Sequence, residues 1–195
     1  MSLPGRRVVD AQFGTAEVHD VYSLNDRLAL INGQVFKSLR EPSIRALALD
    51  LVRGTPQHGP ESELAELSRV FWFVKKNVEY RQDPHQYDLY STASRTIQVH
   101  AGDCDDHCTL IAALVGNLGF IPGAKVISPD GANWHIYALT SVFPRSNPQA
   151  PTARYLALDT TQPLSHPGWE PPAKFQHYAR VVTFTESGPL VQTVR

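Results

Sequence analysis

A cysteine directly precedes the longest apolar run of the chain. The hexapeptide Gly102-Asp103-Cys104-Asp105-Asp106-His107 leads into the apolar residues 109–118. Asp103 has the side chain of a helix N-cap, so Cys104 is predicted to lie near the first helical position, where exposed backbone N–H groups favour a thiolate over a thiol. The three neighbouring carboxylates oppose that effect. We therefore expect the thiol to need a basic partner from elsewhere in the chain.

The second cysteine, Cys108, lies one turn further into the predicted helix and is expected to be a small buried apolar residue. A disulfide between Cys108 and Cys104 would strain the helix, which favours a reducing compartment. An alternative is a zinc site built from His100, Cys104 and Cys108, with Asp103 or His107 nearby. The second half of a structural zinc site is missing from the sequence, so we expect no metal and no cofactor.

Three histidines are candidates for the base. His107 follows Cys104 by three residues and His100 precedes the helix in an unpatterned turn, and both positions are more typical of structural histidines. His135 begins a β-rich segment after a predicted hairpin turn, and Asp159 ends the next predicted strand. A carboxylate in an apolar strand is costly unless it is paired. If the two strands are antiparallel neighbours, Asp159 meets His135.

Further residues around this set fall into short motifs that follow one another in sequence between residues 64 and 161. The motifs are a helix with Trp72, Asn77 and Tyr80, then Thr96-Ile97-Gln98, residues 102–107, Leu118-Gly119-Phe120-Ile121-Pro122, Trp134-His135-Ile136-Tyr137 and Leu158-Asp159-Thr160-Thr161. The sequence resembles the transglutaminase-like superfamily of papain-fold cysteine enzymes, and in particular small bacterial and phage members, some of them cysteine peptidases. Many relatives have Asp-Pro where this chain has Asp159-Thr160, a departure that concerns the local turn.

The resemblance implies an α+β fold with a papain-like or transglutaminase-like core and the nucleophile Cys104 at a helix N-terminus. It implies His135 as general base and acid, and Asp159 as the group that orients the imidazole. The reaction would be acyl transfer from an amide through a thioester, with water or an amine as acceptor. The oxyanion would be held by the Cys104 backbone N–H and one side chain, either Gln98 or Trp72.

The substrate class that this resemblance implies is a protein or peptide. Four aromatic residues are candidates for lining the cleft: Tyr87, Tyr90, Trp134 and Trp169. The alternative is the same fold used without turnover, as a binding or structural module such as a component of a phage-like particle. The polar segment 81–94, predicted to be a long loop, would then plug the cleft.

Apolar periodicity places the elements that position these residues. It predicts helices at 21–39, 44–51 and 64–78 before the site, and β-rich segments at 124–128, 133–142, 154–160, 178–185 and 190–194 after it. The first fourteen residues carry no pattern. Helices followed by an antiparallel meander indicate an α+β fold. We expect residues 1–60 to form an N-terminal helical element packed on a core of residues 61–195, with the first helix available to a protein partner.

The composition of the chain argues against several classes of binding partner. The 195 residues carry a net charge of −1, and the pI is near 6.7, which argues against nucleic acid or an anionic membrane as the main partner. The longest apolar stretch is far shorter than the roughly 20 residues that a bilayer requires. No apolar region follows Arg6-Arg7, so we expect no secretory signal and a cytoplasmic location, or a place in a particle assembled in the cytosol.

Overall fold

The computed structural model describes residues 7–11, 14–19, 23–56, 60–83, 88–142 and 154–194. The helices are α1 (Leu24–Leu39), α2 (Pro42–Leu51), α3 (Pro60–Asn77), α4 (Ala93–Val99) and α5 (Cys104–Asn117). The strands are β1 (Arg7–Ala11), β2 (Gly14–His19), β3 (Glu79–Tyr80), β4 (Asp88–Ser91), β5 (Ala101–Gly102), β6 (Pro122–Ser128), β7 (His135–Val142), β8 (Arg154–Leu158), β9 (Tyr178–Thr183) and β10 (Leu190–Val194), with a 3-10 turn at Ala173–Phe175. The fold is mixed α+β, as the sequence predicts.

Helix α5 lies at the centre of the molecule. Its residues 106–115 are all buried, and it packs against the other four helices and against β6 and β7. The apolar positions of α1 that recur at helical spacing, Leu28, Ile31 and Val35, are buried in the same core cluster. Each such side chain contributes about 1.5–3 kcal/mol through burial. This packing fixes the position of the α5 N-terminus relative to the sheet.

Capping groups set where the helices begin. Ser23 accepts a hydrogen bond from the Asp26 N–H, and the Asp26 carboxylate accepts one from the Ser23 N–H, so α1 begins at Leu24 rather than at residue 21. Pro42 is the first residue of α2, where its missing N–H costs nothing. Asp103 Oδ1 accepts the N–H of Asp105 at 3.1 Å, and α5 begins at Cys104 as predicted.

The main sheet has the strand order β10-β9-β6-β7-β8, and every neighbouring pair is antiparallel. The predicted meander was wrong in one respect, because β9 pairs with β6 rather than with β8. The chain after β8 therefore crosses from one edge of the β6–β7–β8 unit to the other. The alternation of apolar and polar residues does not encode this strand order. The order depends on which edge of the sheet is still unpaired after β6, β7 and β8 have paired.

Strands also form within the first fourteen residues, which carry no sequence pattern, and within the predicted loop 81–94. Residues 7–19 hold the β1–β2 pair, and β2 pairs with β4, which lies inside the predicted loop 81–94. The loop prediction was therefore wrong for residues 88–91, which form β4, and for residues 93 and 94, where α4 begins. The pairing joins segments about 70 residues apart in sequence, and α4 has only 7 residues, too few for apolar positions to recur at helical spacing.

In the described parts of the chain, none of the helices has the length and apolar character needed to cross a bilayer. Both α1 and α2 pack on α5. The division of the chain near residue 60 stays a prediction.

Candidate functional site

Cys104 occupies the first position of α5 and is half-buried. The short parallel pair of β3 and β5 leads into it, with Tyr80 opposite Gly102. A Cβ atom on Gly102 would lie 2.6 Å from the Asp106 Cβ, so glycine is required here by close approach to α5 rather than by a turn. The backbone before the cysteine is thus pressed against the first turn of the helix that carries it.

The environment of Cys104 favours the neutral thiol. Burial raises the pKa of Cys104 well above its ordinary value, and the charges of Asp103 and Asp105 raise it further. A hydrogen bond from the backbone N–H of Ile136 to the sulfur acts in the opposite direction. Ile136 directly follows His135, so this contact brings the thiol against the start of β7.

His135 and Asp159 are in direct contact. The His135 Nε2 atom lies 2.8 Å from Asp159 Oδ2, and the Asp159 side chain is completely buried. The other carboxylate oxygen, Oδ1, accepts hydrogen bonds from the Thr161 N–H at 3.0 Å and hydroxyl at 2.7 Å. Burial raises the pKa of Asp159, but the hydrogen bonds from His135 and Thr161 outweigh it and hold the pKa below its ordinary value. Asp159 is therefore a carboxylate, and Nε2–H donates to it.

The two faces of β7 separate as strand alternation predicts. The rings of His135 and Tyr137 lie on one face with centroids 5.7 Å apart. Trp134 and Ile136 join the main core cluster around α5 on the other face. With Nε2 bonded to Asp159, Nδ1 is the His135 atom that remains to act on a thiol or a substrate.

A histidine and a lysine lie close to Asp159. The His107 Nδ1 atom lies 2.7 Å from the Thr160 hydroxyl, and burial lowers the pKa of His107 to about 4, so this ring is neutral at neutral pH. Lys75 Nζ donates to the Ser165 hydroxyl at 2.8 Å. Burial lowers the pKa of Lys75, while the charge of Asp159 raises it. Sequence reasoning missed Lys75, since nothing distinguishes it locally from a lysine in the last turn of a helix.

The larger of two cavities beside Trp134 opens on His135 and has a volume of about 380 Å³. Its wall is mostly aromatic and proline: Trp134, Trp169, Phe175, Pro129, Pro171 and Pro172. A smaller cavity of about 40 Å³ lies on the Cys104 side and is lined by Cys104, Trp134 and Tyr90 together with α1 residues, among them Leu28 and Ile31. Trp134 contributes to both.

The cleft candidates have different outcomes. Trp134 and Trp169 line the larger cavity. Tyr90 is not a loop residue but a buried member of β4 that lines the small cavity. Tyr87 lies outside the described residues. Sequence reasoning missed Phe175, although the Pro171-Pro172 pair before it marks a rigid segment close to Trp169.

Neither oxyanion candidate lines these two cavities. Gln98 is exposed on α4. Trp72 is 41% exposed on α3, with its ring edge-to-face on Phe71 at 5.1 Å between centroids. Their role as oxyanion donors stays a prediction, as does that of the Cys104 backbone N–H.

The residues of the alternative zinc site do not converge in the described part of the chain. His100 is exposed and its Nδ1 atom lies 3.1 Å from the Asn77 carbonyl oxygen, whereas Cys108 is buried one turn inside α5. The groups that do converge are the carboxylates of Asp103, Asp105 and Asp106, within 4.8 Å of one another. Burial and mutual repulsion raise the pKa of Asp105 and Asp106, to about 7 for Asp106.

Comparison with known proteins gives distant structural similarity only. No protein-family model matches the sequence, and no curated protein matches it. A crystal structure of a protein named "Putative Cysteine Protease" from Cytophaga hutchinsonii is similar over 92% of this chain, with 18% sequence identity and a TM-score of 0.45. The chain spans 63% of that protein's length. Similarity at this level assigns neither a family nor an activity.

Proposed function

We propose that the protein is a cysteine-dependent enzyme that transfers acyl groups from amide bonds. Cys104 is the nucleophile, His135 the general base and acid, and Asp159 the residue that orients the imidazole. The observation that carries this proposal is the 2.8 Å contact between His135 Nε2 and the fully buried Asp159 carboxylate. A buried carboxylate on one ring nitrogen fixes the tautomer and leaves the other nitrogen able to accept a proton.

The proposed reaction has two halves. His135 Nδ1 takes the thiol proton as the Cys104 sulfur attacks the amide carbonyl carbon. The C–N bond then breaks, the proton passes from His135 to the leaving amine, and a thioester remains. Water or a second amine attacks the thioester, gives a proton to His135 and releases the acyl product, and the proton returns to the sulfur. The proposed donor to the developing oxyanion is the Cys104 N–H at the start of α5.

The raised pKa of the Cys104 thiol determines how this nucleophile has to be activated. A thiol that is mostly protonated at neutral pH is not reactive through the helix N-terminus alone. Proton transfer to His135 during attack supplies the thiolate when it is needed. Reactivity of Cys104 should therefore depend strongly on His135.

A second candidate function is a binding or structural module without turnover. The observation that favours it is the small size of the cavity at the thiol, about 40 Å³, which residues of α1 such as Arg27 and Leu28 help to line. An acyl group has little room on this side unless α1 moves. Both functions share the fold, so turnover is the property that separates them.

The first test is the alkylation of the two cysteines by iodoacetamide at neutral pH, followed by mass spectrometry of the peptides. We expect Cys104 to react faster than Cys108 and to lose that advantage in His135→Ala. Exposure alone favours Cys104, so the loss in His135→Ala is the informative result. His100→Ala is the matched control, because it removes an exposed histidine that precedes the same helix. An unchanged rate in His135→Ala contradicts the proposed base.

The second test is turnover on a mixed peptide library, with amide hydrolysis and amine incorporation both recorded and Cys104→Ala as the control. Products that form with the parent protein and not with Cys104→Ala support the enzyme. If neither product forms, the binding module becomes the better account.

A further inference from the structure

The two residues proposed to do the chemistry line different cavities. His135 lines the larger cavity of about 380 Å³ and Cys104 does not. Cys104 lines the smaller one of about 40 Å³ and His135 does not. Trp134 is part of both walls. A substrate bound across this site is therefore divided between the cavities at Trp134.

The chemistry assigns a part of the substrate to each cavity. The acyl carbon bonds to the Cys104 sulfur, so the acyl group extends from the cysteine side. The amine nitrogen exchanges its proton with His135, either as it leaves or as it attacks, so the amine extends from the histidine side. The larger cavity is accordingly on the amine side.

The walls of the larger cavity select the kind of group that it holds. Aromatic rings come from Trp134, Trp169 and Phe175, and proline rings from Pro171 and Pro172. Flat apolar walls of this kind favour an aromatic ring, which gains from ring contacts in addition to burial. The volume lies within the range of small-molecule sites and exceeds what a single methyl or propyl group fills.

We infer that this cavity is the specificity pocket for the amine side of the substrate and that it takes an aromatic group carried by the leaving or accepting amine. The assignment of this cavity to the amine side rests on the proposed function. The preference for an aromatic group rests on the walls of the cavity itself. It also gives a second amine its own route to the thioester, separate from the acyl side. The enzyme should therefore distinguish amines more strongly than acyl groups.

The test uses p-nitrophenyl acetate, whose small acetyl group makes little demand on the cysteine side. A burst of nitrophenol reports acylation of Cys104, and Cys104→Ala should abolish it. The acetyl-enzyme is then offered 2-phenylethylamine or n-propylamine at equal concentration, and the amides formed are measured against acetate. We expect 2-phenylethylamine to capture the acetyl group at least about tenfold better than n-propylamine.

Substitutions locate the preference in the cavity. Trp169→Ala and Phe175→Ala should bring the ratio of the two amides close to one. Phe175 is 43% exposed, so its truncation tests the wall without removing core packing. Tyr155→Ala is the control, because it removes a 61% exposed aromatic ring that does not line this cavity. A burst followed by equal capture of both amines overturns the pocket and leaves the proposed function intact.

A binding measurement keeps the two proposals separate. Calorimetric titration of Cys104→Ala with 2-phenylethylamine should give saturable heat that Phe175→Ala lowers and Tyr155→Ala does not. The absence of saturable binding overturns the pocket, whether or not a burst is seen. Binding without a burst in the parent protein overturns the proposed function and with it the assignment of the pocket to the amine side.

Discussion

Replacement of Asp106 by asparagine should stabilise the protein at alkaline pH and leave it nearly unchanged at acid pH. Asp106 is 4% exposed, and its Oδ1 atom accepts the backbone N–H of Ser91 at 2.9 Å. Burial, followed by the charge of Asp103, raises the pKa of Asp106 from 3.8 to about 7. Asparagine keeps an oxygen for Ser91 and carries no charge, so it imitates the protonated carboxyl group.

The size of the effect follows from the difference between the folded and unfolded pKa values. Between pH 4 and pH 7 the folded state holds a proton on Asp106 that the unfolded chain has released, so stability falls as the pH rises through this window. The stabilising contribution is complete below about pH 4 and lost above about pH 7. Three pKa units at 1.36 kcal/mol each correspond to about 4 kcal/mol.

His107 changes the pH profile of the parent protein in the opposite direction. Its folded pKa is lowered from 6.5 to about 4, so the unfolded chain binds a proton there first and stability falls as the pH decreases from about 6.5 to 4. This amounts to about 3 kcal/mol. The two slopes largely cancel in the parent protein. The difference between the parent and Asp106→Asn removes the His107 contribution. It leaves that of Asp106 together with the relief of Asp105, whose pKa the Asp106 charge raises, and both have the same sign.

Urea unfolding followed by circular dichroism at pH 4 and pH 8 measures this difference. We expect the free energies of unfolding of the two proteins to agree within about 1 kcal/mol at pH 4, and Asp106→Asn to be more stable by up to about 4 kcal/mol at pH 8. Asp50→Asn is the control, because Asp50 pairs with Arg53 on the exposed surface of α2. A difference that does not change with pH, or a variant that is less stable at pH 8, refutes the reasoning.

Four other substitutions test the site and its supports. Asp159→Asn removes the carboxylate bonded to His135 and should slow alkylation of Cys104 by about a hundredfold at an unchanged circular dichroism spectrum. An equal rate contradicts the proposed triad. In calorimetry, Gly102→Ala should destabilise the fold by about 1–3 kcal/mol. Gly33→Ala is the matched control: its new Cβ meets nothing within 4 Å, so it should stabilise the fold by about 0.5–1 kcal/mol. The reverse order would refute the close approach of Gly102 to Asp106. Asn32→Ala breaks two hydrogen bonds to the backbone of Thr185, at 3.0 and 3.1 Å, and should lower the free energy of unfolding in urea by about 2 kcal/mol; no loss would make these contacts energetically neutral.

The parts of the site that the sequence predicted depend on local rules. An aspartate whose carboxylate accepts the N–H groups two and three residues later starts a helix, and this places Cys104. A hairpin followed by a third strand pairs neighbours, and the observed register sets Ala138 opposite Leu158. Asp159 then lies diagonally across from His135, within reach of its ring. Both inferences needed only residues that are close in sequence or strands that are consecutive.

The parts that the sequence did not predict depend on distant pairing. Strand β4 is a strand because β2, about 70 residues earlier, lies beside it. The segment from Gln162 to Phe175 supplies much of the larger cavity because the chain crosses the sheet between β8 and β9. The apolar periodicity within either segment does not indicate which strand or sheet edge that segment will lie against. Tyr90 was consequently predicted to lie in a loop although it is buried in β4.

The acidic residues around Cys104 have a structural role that is separate from thiol reactivity. Asp103 caps α5, and Asp106 binds the backbone of Ser91 and so ties β4 to the helix start. The charges of Asp103 and Asp105 also raise the pKa of the thiol. A helix start built in this way positions the cysteine and disfavours its thiolate form. The backbone N–H of Ile136 at the start of β7 contacts the sulfur. If His135 is the base, as proposed, a change that separates β7 from α5 should slow alkylation of Cys104 even though it exposes the thiol.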